Sequence, residues 1–250
     1  MEPLVSVVTI TYNHEPYIAK CIEGVLMQKV DFPMEFIIAE DCSTDGTRAI
    51  CEEYAKRFPE LIHLMTSDSN IGYNPNELRA MKAARGKYIA YCEGDDYWTD
   101  PEKLQKQVNF LESHPDYSVC FHRCRHLNVG NDTFFDDLCG PLFNADDDDP
   151  VDVTLDMFFG KWITQPLTMV LRTECYDFSL YEKYRHFRDM HQIYHLLKAG
   201  KVCIFPFDGG VRTVHDGGLA SKLSEPEQCN NGVEIAEELY RANKDIPTKR

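Results

Sequence analysis

Two hydrophobic periods alternate along the first hundred residues of the chain. Val5–Thr11 is a run of β-branched residues broken only by Ser6, the pattern of a buried strand, and Asn13-His14-Glu15-Pro16 ends it. Tyr17, Ile18, Cys21, Ile22, Val25 and Leu26 then recur at helical spacing. Phe36–Ala39 predicts a second strand. The segment Glu40–Thr47, rich in turn formers and caps, leads into a helix through Ile50, Tyr54, Ala55 and Phe58. Leu61–Thr66 predicts a third strand, followed by the polar loop Asn70-Ile71-Gly72 and a helix through Leu78, Met81, Ala83 and Ala84 that stops at Gly86. Tyr88–Cys92 predicts a fourth strand. The order β-α-β-α-β-α-β predicts a parallel, doubly wound sheet whose ligand lies beyond the carboxyl ends of the strands. The loops at Tyr12, Asp41, Asn70 and Asp95 all fall at those ends.

The pattern loosens afterwards. A helix over Glu102–Glu112 carries Leu104, Val108 and Leu111; Thr168–Arg172 and Val202–Phe205 predict strands, Arg188–Ala199 a helix ending at Gly200, and Asp216-Gly217-Gly218 a loop. Asn144–Pro150, with Asp146 to Asp149, reads as a solvated acidic loop, and the polar segment from Glu225 has a helical patch at Val233–Tyr240. Cys120, His122, Cys124 and His126 alternate within Tyr117–Leu127 and so share one face of a strand. Four ligands on one straight strand cannot close a zinc tetrahedron, so a half-buried strand is the better reading.

Composition narrows the function classes. The 250 residues are 43% apolar and 27% charged, the balance of a soluble globular domain with a sizeable core. A net charge of −15 argues against non-specific binding to nucleic acid or anionic membranes. No apolar stretch approaches the roughly 20 residues that span a bilayer, and Met1 to Thr11 lacks the pattern of a signal peptide. The ten cysteines have no framework spacing and read as reduced thiols of a cytosolic protein.

The chemistry concentrates where the fourth strand ends. Glu93, Asp95 and Asp96 put three carboxylates within four residues, and like charges so close call for a cation. Hard oxygen ligands suit magnesium or manganese, and such an ion suits phosphate.

Three blocks now stand in order, each behind a predicted strand: Val5-Ser6-Val7-Val8-Thr9-Ile10-Thr11-Tyr12-Asn13, Glu40-Asp41-Cys42-Ser43-Thr44-Asp45-Gly46-Thr47 and Glu93-Gly94-Asp95-Asp96-Tyr97-Trp98. Together they resemble the inverting nucleotide-sugar glycosyltransferases of family 2, which have the GT-A fold. The likeness is close from Leu4 to Leu111 and looser from Ile163 to Ser221. Ile10 stands where that family usually has proline, and Glu93 where it has the first aspartate of its metal motif.

The resemblance implies one α/β domain over 1–224, a GT-A-type, Rossmann-like, doubly wound mixed sheet with a nucleotide-sugar-binding half (1–112) and an acceptor half (113–224), followed by a polar helical tail (225–250). It implies that Thr11, Tyr12 and Glu15 line the nucleotide pocket, the Tyr12 ring stacking on the base. Asp41 accepts a hydrogen bond from uracil N3, which favours a UDP-sugar, and Asn70, Asn76 and Arg79 bound the ribose-phosphate side. Asp95 holds Mn2+ or Mg2+, Asp96 assists as a second ligand, and Glu93 contacts the ribose or a water on the ion. Asp189, at the predicted start of a helix in Phe187-Arg188-Asp189-Met190, matches the family's base, and a helix N-terminus keeps an aspartate ionised. Val211 to Gly218 matches a loop of the form Tyr-Arg-x-His-x-x-Gly, in which Arg212 and His215 bind the diphosphate or the metal. Trp98, Trp162 and Gln165, with Arg212, fall on the acceptor side.

The activity so implied is inverting transfer of a sugar from a nucleotide diphosphate sugar to a hydroxyl of a glycan or lipid-linked saccharide, in the cytoplasm, with transient docking at a membrane-embedded acceptor or an assembly. A nucleotidyltransferase that makes the sugar nucleotide is a rival, but Thr11 to Pro16 lacks the glycine-rich basic loop such enzymes carry. A non-catalytic binding module is a second rival, opposed by the presence of both the acidic cluster and Asp189.

Overall fold

The computed structural model describes residues 2–144, 148–160, 163–184, 187–218 and 225–243. In chain order the elements are β1 (Val5–Thr11), α1 (Ile18–Leu26), β2 (Met34–Glu40), α2 (Thr47–Arg57), β3 (Ile62–Met65), α3 (Tyr73–Ala83), β4 (Tyr88–Tyr91), β5 (Tyr97–Trp98), α4 (Lys103–Ser113), β6 (Tyr117–Asn128), β7 (Thr133–Asp136), β8 (Val151–Asp152), α5 (Leu155–Gly160), β9 (Val170–Arg172), α6 (Leu180–Lys183), α7 (Asp189–Ala199), β10 (Lys201–Val214) and α8 (Glu225–Ala242). The described strands form one ten-stranded sheet in the order β3-β2-β1-β4-β9-β6-β10-β5, with β7 on β6 and β8 on β10.

β1 is buried at every position because it lies inside the sheet with helices on both faces. Its alternate residues feed two cores. Val5 and Val7 pack with α1 (Ile18, Ile22, Val25) and α4 (Leu104, Val108, Leu111), while Val8 and Ile10 pack with α3 (Ala80, Met81) and α7 (Ile193, Leu196). β1 pairs in parallel with β2 and β4, and β2 with β3, as the sequence predicts. The parallel run ends there: β9 is antiparallel to both β4 and β6, so the sheet is mixed.

Three expectations change in the second half. The strand expected from Thr168 starts at Val170, since Pro166–Thr168 form a 3-10 turn. β10 continues from the expected Val202–Phe205 through to Val214, paired in parallel with β6 across an irregularity at Phe205–Gly210. Pro206, Gly209 and Gly210, residue types that commonly end a strand, lie in the irregularity across which this one continues. β6 is buried on both faces over Ser118–His122, with Cys120 in the α4-side core and Val119 and Phe121 in the other, and is half-buried as expected from Arg123 onward, where Arg125 is exposed. The segment expected as a polar helical tail forms α8, which buries Leu239 in the α7-side core, and Asn243 Nδ2 donates to the Tyr184 hydroxyl at 3.0 Å.

The residues Asp146 and Asp147 of the acidic loop lie outside the described residues. His122 Nδ1 sits 2.7 Å from the Arg123 carbonyl and His126 stacks on Phe135, so neither imidazole joins a metal cluster with Cys120 or Cys124. The nine cysteines whose side chains are described, all but Cys229, are free thiols, seven of them buried.

Candidate active site

The site lies where the loops after β1, β2, β3 and β4 meet the C-terminal stretch of β10. The first two loops are stitched together. Asn13, at φ +55°, accepts the Thr44 N–H through Oδ1 at 2.8 Å, and its own N–H donates to Ser43 Oγ at 3.0 Å. The His14 N–H donates to Thr47 Oγ1 at 2.8 Å. Glu15, expected to line the nucleotide pocket, accepts the Gly46 N–H at 2.8 Å, capping the start of α2 instead. Thr11 Oγ1 is buried without a partner and Tyr12 is 40% exposed, so its ring face is free to stack.

Asp41 is buried, and its carboxylate accepts three hydrogen bonds: from Ser67 Oγ (3.0 Å), the Ile71 N–H (2.9 Å) and the Gly72 N–H (2.8 Å). A carboxylate has about four acceptor positions, which leaves one for an incoming group. Gly72 reaches this arrangement at φ +89°, a conformation that favours glycine. Asn70 is exposed on the same loop. Asn76 and Arg79, expected on the ribose-phosphate side, are engaged within the protein. Asn76 is buried, donating to the Ala39 carbonyl and accepting from Arg79 Nε, and Arg79 donates to the carbonyls of Thr66, Glu40 and Met65. The guanidinium ties the ends of β2 and β3 together beneath Asp41, because carbonyls leaving a sheet edge need donors.

The acidic turn divides its three carboxylates among three environments. Asp95 Oδ2 is 3.1 Å from His215 Nε2 and 3.8 Å from His14 Nε2. Burial works against its charge, but the His215 hydrogen bond and the two histidines hold its carboxyl below the usual range. Asp96, expected as a second metal ligand, instead accepts the Thr213 N–H of β10 at 2.8 Å, and burial followed by repulsion from Asp95 and Glu93 pushes its carboxyl well up. Glu93 is pushed up to about 8 by burial and then by Asp95 and Asp189, with Arg212 opposing. A side chain on Gly94 would meet Thr11 Oγ1 at 2.7 Å and His14 Nδ1 at 3.0 Å, so the turn fits against the first loop only as glycine.

Asp189 opens α7 and is pushed up to about 6 by burial, partly offset by the Met190 N–H to its Oδ1 (3.1 Å) and by Arg212. The helix N-terminus alone therefore does not decide its charge. Glu77, on α3, is held at about 7 by burial against a hydrogen bond from the Tyr181 hydroxyl at 2.8 Å. Arg212, reached by the continuation of β10, is the positive charge that Glu93, Asp96 and Asp189 all feel.

Of the residues expected on the acceptor side, Trp98 is 2% exposed, with Nε1 donating to the Leu167 carbonyl at 2.8 Å and Lys103 Nζ over its ring. It is a core residue, because the short β5 pins it between α1 and β10. Gln165 is buried and its carbonyl accepts the Thr168 N–H and hydroxyl. Trp162 lies outside the described residues.

Among the described residues one group of His, Cys, Asp and Glu side chains brings ligand atoms within 4.8 Å of one another: His14, Asp95 and His215. One carboxylate and two imidazoles suit a divalent ion, and the buried His14 Nδ1 has no partner within the protein. His14 was missed in the sequence because its loop read only as a strand breaker. Glu77 was missed too, although it shares helical spacing with the buried Ala80 and Met81.

The family model described as Glycosyl transferase family 2 matches residues 6–195. An uncharacterized Mycobacterium tuberculosis protein is 51% identical over 120 residues, 48% of this chain and 35% of its own length. Bacillus subtilis TuaG, provisionally named a teichuronic acid biosynthesis glycosyltransferase, is 41% identical over 110 residues, 44% of this chain and 42% of its own. The chain thus spans about a third to two fifths of these relatives. Staphylococcus aureus TarS, solved with UDP-GlcNAc, superposes with a TM-score of 0.65 at 22% identity, covering 97% of this chain and 68% of that one. The Pyrobaculum calidifontis mannosyltransferase PcManGT, solved with GDP-Man and Mn2+, superposes at 0.65 with 18% identity, covering 99% and 66%. These likenesses establish a GT-A fold. With the family model spanning most of the chain, and its three sequence blocks meeting at one sheet edge, the chain belongs to glycosyl transferase family 2.

Proposed function

We propose that the chain is an inverting, metal-assisted glycosyltransferase that moves a sugar from a UDP-sugar to a hydroxyl of a glycan or lipid-linked saccharide. The observation that carries this reading is two carboxylates, both facing Glu93, with separated proton affinities. Asp95 is kept ionised beside two histidines, and Asp189 is pushed up to about 6 beside Arg212. Groups set apart in this way divide the work of an active site. A divalent cation, Mn2+ or Mg2+, held at Asp95 and His215 supplies Lewis-acid stabilisation of the diphosphate leaving group.

The protein's own residues supply the rest. The Tyr12 ring stacks on the base, and the remaining acceptor position of Asp41 takes the uracil N3–H. Glu93, protonated near neutral pH, donates a hydrogen bond to the ribose. Asp189 removes the proton of the acceptor hydroxyl as it attacks the anomeric carbon, and Arg212 stabilises negative charge between donor and base. One displacement inverts the anomeric centre. The described residues include no helix long and apolar enough to cross a membrane. We place the reaction in the cytoplasm, with docking at a membrane-embedded acceptor.

Incubation with Mn2+ and a panel of sugar nucleotides tests the reading. Release of UDP, and product of inverted configuration, is expected; pyrophosphate release would instead mark a nucleotidyltransferase. D189N should bind donor as the parent does and lose transfer by about a hundredfold or more. Near-normal transfer by D189N would refute Asp189 as the base.

A further inference from the structure

We propose that His14 is a third protein ligand of the donor-site cation, so that two imidazoles and one carboxylate select a transition ion such as Mn2+ over Mg2+ and bind it before the nucleotide arrives. The proposal rests on the preceding reading that Asp95 and His215 hold that cation. His14 Nε2 stands 3.8 Å from Asp95 Oδ2, too far for a hydrogen bond. Two ligands bonded to one ion at about 2.1 Å lie roughly 3 to 3.5 Å apart, so a small closing movement brings the pair onto a shared ion. The ring has no competing use. Its Nδ1 is buried without a partner, and its Nε2 has no hydrogen bond closer than this contact.

The ring is also aimed. The His14 N–H is fixed to Thr47, its face meets the His215 ring edge-on at 6.1 Å, and glycine at 94 is what leaves it room beside Thr11. The carboxylates that would favour Mg2+ are turned elsewhere, Asp96 to the Thr213 amide above all. Magnesium keeps its waters and prefers oxygen, whereas imidazole nitrogen favours the later divalent ions. A single carboxylate with two neutral imidazoles also leaves the bound ion with a net positive charge to offer a diphosphate.

The test is Mn2+ binding to the metal-free full chain without nucleotide, followed by the electron paramagnetic resonance of free Mn2+, with pulsed measurements counting coupled imidazole nitrogens. The parent should bind Mn2+ at least tenfold tighter than Mg2+ and show two coupled imidazoles. H14Q should weaken Mn2+ by about tenfold or more and show one. A parent with one coupled imidazole, or an H14Q chain with unchanged affinity and couplings, overturns the proposal. D95N and H215Q separate it from the reading beneath it: if both bind Mn2+ as the parent does, the cation site itself is wrongly placed. Should H14Q fail to fold, judged by circular dichroism, the imidazole count of the parent decides alone.

Discussion

Asp189 costs the folded chain stability at neutral pH. Its folded carboxyl is pushed up to about 6, above the ordinary value of 3.8, so the folded state binds a proton more tightly than the unfolded one. The stability this confers is complete below about pH 4 and is lost as pH rises through 6. D189N should therefore stabilise the chain by about 1–3 kcal/mol at pH 8, read as a higher melting temperature, and change little at pH 4. Transfer by the parent should rise with pH through about 6 and then level. Lys103 is the opposite case. Its Nζ is fully buried without a hydrogen-bond partner, 4.0 Å over the Trp98 ring, and burial pulls it down to about 7. The unfolded chain then holds more protons between pH 7 and 10.5, and stability rises with pH across that window. K103M should stabilise the chain by roughly 2–4 kcal/mol at pH 7, with a gain that shrinks towards pH 10, measured by thermal melts.

At the scale of elements, Asp41 gathers three donors of the loop between β3 and α3, whose start Arg48 and Arg79 also hold. D41N replaces an acceptor oxygen with an N–H2 that faces the Ser67, Ile71 and Gly72 donors. The expected cost is about 1–3 kcal/mol of stability and a larger loss of nucleotide affinity, read by calorimetry. Unchanged donor affinity would show that the base does not reach Asp41. The elements also divide by how legible they were. β1 to β4 were readable because both faces of a parallel strand are buried, which leaves unbroken apolar runs. β10 was half-read: its bulge uses Pro206, Gly209 and Gly210, the residues that elsewhere stop a strand. Arg212 therefore looked like a loop arginine, when it is a strand residue aimed from the sheet. Trp98 misled in the other direction, because exposure of an aromatic residue cannot be read from a two-residue strand.

At the scale of the molecule, a net charge of −15 opposes the approach of the dianionic donor we propose. Raising ionic strength from about 10 to 150 mM shortens the screening length, so donor association should quicken by about twofold or more. A slowdown would mean that the positive field of the site dominates at long range. The donor side of the fold follows from local periodicity, which a single sequence displays. The meeting of Asp189, Glu77 and Glu93 depends on β9 running against β4 and on α7 crossing the sheet, relations between distant segments that no local pattern carries.

The thiols give the molecule two clocks. Of the nine described, the seven buried ones are sealed from solvent, and for Cys51, Cys120 and Cys139 burial raises the thiol to about 12. A chromogenic thiol reagent should find them only when the chain opens, so their labelling measures the rate of unfolding. Cys42 is half-buried, directly after Asp41 and held at φ +59°. In a Cys229→Ser background its fast reaction would time the occupancy of the base pocket, slowing as nucleotide fills it, while Cys175 ticks on unchanged as the internal standard.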